Sequence, residues 1–269
     1  MDILKPDHFF DLTPFAHRDL FDSCEHVWEA LSRLPSYLAA HLTPNVGDIG
    51  CLQKPLPETL VLWQGRVWRD GFQVLGGEAT KGTLKVRIEG QEVADATVLY
   101  AGSVIWDDAV SLGPGAVVEP GALIKGPTII GGSTEVRQGA YVRGKCLTGT
   151  GCVIGHTTEI KSSIMLNGAK AGHFAYIGDS ILGAASNLGA GTKLANLKLS
   201  GDSIRVRVSG ESLDTGLRKL GAILGDSVEI GCNTVTNPGT ILGTGSLVWP
   251  LTSVAPGYYG PWTILRAQS

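Results

Sequence analysis

The chain has 269 residues, room for one large domain or two ordinary ones. Glycine accounts for 37 of them without any collagen triplet, and aromatic residues for only 7%. The formal net charge of −3 excludes a global pull towards nucleic acid or an anionic membrane, so any basic patch has to be local.

Residues 1–57 read as a helical N-terminal cap. Thr13 followed by Pro14 has the form of a helix start. Leu20, Cys24, Val27, Trp28 and Leu31 then recur at helical spacing, Pro35 interrupts, and Tyr37 to Leu42 gives a second short helix. Such a segment is expected to cover the open end of whatever follows. His8, His17, His26 and His41 are scattered through it, and no metal site is expected. The start lacks a basic stretch followed by an apolar run, and no stretch reaches membrane-spanning length, so a reduced cytoplasm is the expected location. Residues 58–97 hold short strand-like runs bounded by glycine, such as 59–63, 66–68, 72–75 and 84–88. They fit either a small sheet or irregular first coils.

Residues 98–269 carry the organising pattern. Leu112, Val118, Ile124, Ile130, Val136 and Val142 recur every sixth position, and a small residue follows each of them four positions later. This is the hexapeptide signature of a parallel β-helix, an all-β fold in which each six is a short strand and a turn. Neither can bury its apolar side alone, so stacked coils supply the missing partners. The repeat runs forward through Ile154, Ile160 and Leu166, weakens at Thr148, Gly172 and Gly178, and resumes two residues early at Leu182, Leu188 and Leu194. Such a slip marks a local departure of the wall, around which function is expected. Residues 197–222 break the hexads and read as an insertion projecting from one corner. The hexads return at Leu224 and continue to Val254, and the aromatic end from Tyr258 packs along the last coils. Cys146 and Cys152, six apart at the inward small position, read as core thiols; the five cysteines form no C-x-x-C pair.

Four features point to chemistry, one of them the insertion, where Lys198, Arg205, Arg207, Arg218 and Lys219 outnumber Asp202, Glu211 and Asp214 and suit an anionic ligand. Between Val136 and Gly178 five basic residues face one acidic residue, Glu159. With three hexads to a coil, Lys161 stands over Arg143 about 4.8 Å away. Stacked like charges repel, so an anion beside them, a phosphate above all, is expected. His173, inside the slip, lies near this patch; neighbouring cations disfavour an imidazolium, which leaves the ring able to accept a proton. Two histidines in the repeat region are too few for a three-His zinc site. Finally, Gly189 and Gly191 flank Ala190 and leave its N–H free to face a developing oxyanion.

At these residues the chain resembles a known family. Glu159-Ile-Lys-Ser, the run from Lys170 to Asp179 and Asn187-Leu-Gly-Ala-Gly-Thr192 followed by Asn196 are similar to the acetyltransferase half of bifunctional UDP-N-acetylglucosamine pyrophosphorylase/glucosamine-1-phosphate acetyltransferases. The run from Asp214 to Asp226 resembles the archaeal-type sugar-1-phosphate members. The resemblance spans about 136 to 255. It implies a left-handed β-helix of triangular section, a homotrimer with active sites between subunits, acetyl-CoA as donor and a hexosamine 1-phosphate as acceptor. It implies His173 as general base, with Arg143, Lys161 and Lys219 on the sugar phosphate. Tyr176 and Asn187 would position the sugar, Asn196 would support the amine, and the Ala190 N–H would face the thioester oxygen. The matched positions along the cofactor are Ala190, Cys232 and Pro250, of which Pro250 has no N–H to donate. Residues 1–97 hold no G-x-G-T phosphate loop, so nucleotidyl transfer is not expected. The alternative is a non-catalytic β-helix that binds a sugar phosphate or sugar nucleotide.

Overall fold

The computed structural model describes residues 2–267. The hexads form a parallel β-helix of three faces. Face I passes through the strands Glu135–Val136, Val153–His156 and Lys170–His173, face II through Tyr141–Val142, Glu159–Lys161 and Tyr176–Gly178, and face III through Cys146–Thr148, Ser163–Met165 and Ile181–Leu182. The hexad aliphatics point inward. Val136, Val142, Ile154, Ile160 and Ile177 are fully buried in one continuous core. Cys146 and Cys152 lie in it too, and burial pushes both thiols up to about 12, as expected of inert core cysteines.

The slip in the repeat has a simple cause. Glu135 aligns with Val153, a coil of 18 residues, but Val153 aligns with Lys170 and Lys170 with Asn187, coils of 17. The missing residue falls in the turn between faces II and III. Val142 aligns with Ile160 while Leu147 aligns with Ile164, so five steps become four. The shortened turn recurs between Ile177 and Ile181. One expectation is corrected as a result: Met165, not Leu166, faces the interior, while Leu166 packs outward. His173 lies between the two shortened turns, on a strand of face I that pairs it with His156.

Residues 4–38 of the N-terminal segment do not cover the open end. Leu4, Phe9, Phe15, Phe21, Trp28, Leu34 and Leu38 pack on the outer side of face III, against Ile129, Leu147, Ile164, Ile181 and Ile223. The hexads put an aliphatic residue on both sides of this face, so its outer side has to be covered as well. The helix also differs from expectation: it runs Glu29–His41 with Pro35 inside it. Burial of Leu34 and Leu38 outweighs the hydrogen bond that Pro35 forfeits. Thr13 starts no helix, because Asp11 binds the Thr13 N–H at 3.0 Å while its own N–H is held at 2.7 Å by Asp226.

The open end is closed by Val46, Ile49 and Leu56, later in the same N-terminal segment, together with Leu60. Leu60–Trp63 and Arg66–Trp68 form a hairpin that extends face I, with Leu60–Trp63 antiparallel to Thr97–Leu99. A separate sheet of Phe72–Gly76, Lys85–Ile88 and Gln91–Val93 packs beside it. The insertion does not project. Its hairpin, Arg205–Val208 with Glu211–Asp214, folds back so that Ile204, Val206 and Val208 join the layer over face III. The aromatic C-terminal stretch packs as expected, with Tyr258 edge-on to Phe9 at 6.0 Å. No helix among the described residues is long and apolar enough to cross a membrane.

Leu147→Ala, which opens a cavity between face III and the N-terminal layer, is expected to cost about 2–5 kcal/mol in urea unfolding and to speed proteolysis of residues 4–38. A pH effect on the same layer is also expected. Burial pushes His17 below its ordinary 6.5, with Asp19 opposing and His41 adding to the fall. The undocked segment therefore binds a proton more readily, so the contribution of His17 is complete above pH 6.5 and is lost as pH falls below it. Faster amide exchange in residues 15–38 at pH 5.5 than at 7.5, corrected for intrinsic rates and abolished by His17→Gln, is the expected result.

Candidate functional site

Face II presents two outward columns. Tyr141, Glu159, Tyr176 and Lys193 stand one above another, and beside them Lys161 stands over Gly178. Continuing the same register puts Arg143 over Lys161, as the spacing requires; the Arg143 N–H meets the Ile160 carbonyl at 2.8 Å. The expected repulsion is relieved from within the chain. Arg143 Nη1 lies 2.7 Å from Glu159 Oε1, and Lys161 Nζ lies 2.7 Å from Asp179 Oδ2. The charge argument for an external anion therefore applies less to this pair than its spacing implied.

The two bridges differ in kind. Arg143 is exposed, and the bond to Glu159 holds its guanidinium still more firmly protonated. The Lys161 and Asp179 side chains are only 15% and 17% exposed. Asp179 also accepts from Asn196 Nδ2, and Asn196 Oδ1 takes the Tyr176 hydroxyl at 3.4 Å. Gly178 makes room for this cluster, since a Cβ there would sit 2.7 Å from both Asn196 Nδ2 and the Tyr176 hydroxyl. The returning end of the insertion is stitched to it. The Leu220 N–H donates to the Asn196 carbonyl at 3.0 Å and the Gly221 N–H to the Asp179 carbonyl at 2.8 Å. That brings Lys219, next in the chain and exposed, to the same edge, with no carboxylate within bridging distance among the described residues.

A second set occupies the edge between faces I and II. His173 ends its strand, exposed, in register with His156. Phe174, at a φ of 40°, places its ring 6.0 Å from His156 and 5.9 Å from His173. Continued along face I, the strand register sets Ala190 below His173, then Cys232, then Pro250. The Ala190 carbonyl accepts from Asn233 at 2.8 Å, while its N–H has no acceptor among the described residues. Gly189 cannot carry a side chain, because a Cβ would lie 2.6 Å from the Cys232 nitrogen. Below, a groove of about 370 Å³ runs past Gly231, Trp249 and Pro250, with Arg266 stacked 4.6 Å over the Trp249 ring.

Arg143, Lys161, Tyr176, Asn196 and Lys219 thus gather on face II and its far edge. His173, Ala190, Cys232 and Pro250 form one column on the near edge. Asn187 joins neither set: it lies on face I, where its Nδ2 donates to Glu229 Oε2 at 3.0 Å. A cleft of about 940 Å³ sits beside the first coils around Asn45, Trp63 and Asp95, remote from both sets. Asp179 was missed as a site residue, although it stands eighteen positions after Lys161 (|i−j| = 18), the spacing already used for Arg143.

A hexapeptide prism with a histidine column on one edge and a cationic face beside it is the class these observations define. Residues 124–248 match the family model described as "GMPPB C-terminal domain". A bifunctional sugar-1-phosphate nucleotidylyltransferase/acetyltransferase of Sulfurisphaera tokodaii is 38% identical over 97 residues, 36% of this chain and 24% of that protein. A bifunctional protein GlmU of Methanococcus maripaludis is 38% identical over 109 residues, 40% of this chain and 26% of that protein. The resemblance read from the motifs is thus met in curated relatives, of whose length the chain spans about a quarter. Among solved structures, a UDP-N-acetylglucosamine acyltransferase of Francisella novicida covers 63% of this chain and 66% of its own, at 14% identity and a TM-score of 0.37.

Asp179→Ala strips a half-buried ammonium and the Asn196 amide of their shared acceptor, and about 2–4 kcal/mol of stability is expected to go with it. Arg143→Ala breaks an exposed pair and is expected to cost less than about 1 kcal/mol. Urea midpoints of the two variants provide the check.

Proposed function

We propose that the chain transfers an acetyl group from acetyl-CoA to the amine of a hexosamine 1-phosphate, with His173 as general base. The observation that carries this reading is the His173 column: an exposed imidazole one rung from the unpartnered N–H of Ala190. In this reading His173 takes the amine proton as the amine attacks a thioester carbonyl, the C–N bond forms and the C–S bond breaks. The Ala190 N–H donates to the carbonyl oxygen as charge develops there. The proton on His173 then passes to the departing thiolate.

Arg143 and Lys219 hold the phosphate. Lys161, paired with Asp179, contributes to the same wall, and Tyr176 and Asn196 contact the sugar. Asn187, on face I three residues before Ala190, positions the sugar from that side, in the homotrimer the resemblance implies. The groove past Cys232 and Pro250 takes the thiol arm. Cys232 supplies an N–H there and Pro250 supplies only shape.

A direct assay supplies the test: acetyl transfer to glucosamine 1-phosphate and related hexosamine 1-phosphates, followed by thiol release. His173→Ala is expected to lower kcat about 10²–10⁴-fold with little change in melting temperature, and equal rates would remove His173 as base. Acetyl-CoA and the sugar phosphate are each expected to raise the melting temperature. Stabilisation by the sugar phosphate alone, without turnover, would select the non-catalytic reading.

A further inference from the structure

A second candidate site lies where the N-terminal segment meets the turns between faces III and I, a different edge from the His173 column. A cavity of about 310 Å³ opens there, walled on one side by His17, His41 and Thr43 and on the other by Ser111, Thr150 and corner glycines, over Ile129 and Ile130. That volume is at the small end of ligand pockets. None of the lining residues is Asp, Glu, Lys or Arg.

Of the polar groups in this wall, Thr148 Oγ1 accepts from the Gly131 N–H, Asn167 accepts from the Thr150 N–H and donates to the Pro14 carbonyl, and the rest are unspent apart from the His17 and His41 contacts below. The hydroxyls of Thr43, Ser111 and Thr150 have no hydrogen-bond partner among the described residues. His17 is held in one tautomer. Its Nδ1 lies 3.1 Å from the Tyr37 hydroxyl, and that hydroxyl donates to Asp19 Oδ1 at 2.7 Å. With its own proton committed to Asp19, the Tyr37 oxygen accepts from His17 Nδ1–H. Asp19 Oδ2 lies 3.4 Å from His41 Nε2, and the His41 ring stacks on Tyr37 at 3.9 Å. The relay therefore leaves a lone pair on His17 Nε2, which has no partner among the described residues.

A lone-pair acceptor and three hydroxyls around an apolar floor match a ligand rich in hydroxyls. A phosphate would meet no Lys or Arg in this wall, and the His41 ring is already engaged on both sides, Nδ1 at 3.0 Å from the Tyr37 carbonyl and Nε2 towards Asp19; an ammonium would meet no free carboxylate, since Asp19 is held by Tyr37 and His41. We infer that this cavity binds an uncharged polyhydroxylated molecule of monosaccharide size, one of whose hydroxyls donates to His17 Nε2. The inference uses none of the residues assigned to acetyl transfer and stands whether or not that assignment does.

The test is NMR at neutral pH on the intact protein with glucose, mannose and N-acetylglucosamine as probes and their 1-phosphates as the charged arm. The readouts are saturation transfer to the sugar and the ¹⁵N shift of His17 Nε2. At least one neutral sugar is expected to receive saturation and move the His17 signal, and its affinity is expected to fall at least about tenfold in Ser111→Phe, which fills the cavity. Acetyl transfer by Ser111→Phe is expected to be unchanged. A His17 signal that no neutral sugar moves up to about 50 mM (~2 kcal/mol of binding) would overturn the inference. So would 1-phosphates that move it as strongly as the parent sugars. Should Ser111→Phe fail to fold, the wild-type His17 signal still decides.

Discussion

Backbone register between successive coils is the constraint on which everything else in this molecule rests. Each outward side chain on a face stands about one strand spacing from its counterparts above and below. Residues 17 or 18 apart in sequence therefore become neighbours, and residues six apart are carried to different faces. Every grouping of chemical interest follows from this. Arg143 meets Lys161, His156 meets His173, and Ala190 falls below His173 by the same stacking that buries Val136, Ile154 and Ala171 inside.

Uniform stacking would place like charges in columns, and the chain answers that with small departures. The shortened turn between faces II and III draws the corner residues in, so that Asp179 reaches Lys161 and Asn196 at once. The insertion leaves the prism in the next coil at the same corner and is tied back to Asn196 and Asp179 on its return. Irregular coil, buried ion pair and basic insertion thus share one edge. The regular edge beside face I carries the exposed imidazole and the unpartnered N–H. Rigid strands hold both edges, so the groups they carry are fixed before any ligand arrives.

Face III shows why residues outside the repeat are needed. Its strands alternate Thr128, Ile129, Ile130 or Ser163, Ile164, Met165, so both sides are apolar where the second side would otherwise meet water. The N-terminal segment and the inserted hairpin cover it together, one with Phe9, Phe15 and Leu34, the other with Ile204 and Val206. The seams of that cover are where unpaired polar groups collect, because neither partner's regular hydrogen bonding extends across them. The His17–Tyr37–Asp19–His41 relay lies on such a seam.

Much of this was legible in the residues. The period of six identified the prism, the small residues inside it and the inert Cys146 and Cys152, and a count of eighteen brought Arg143 to Lys161. Those are local or strictly periodic properties, set by which side chains a strand and turn can bury. Tertiary structure decided what depends on coil length and on packing between distant segments. Loss of one residue at a corner turned Met165 inward and gave Lys161 an acid partner. An apolar outer face drew residues 4–38 to the flank rather than the end, and burial of Leu34 and Leu38 carried a helix through Pro35. None of these is written in a single stretch of chain, because each is a balance between surfaces that sequence spacing alone does not bring together.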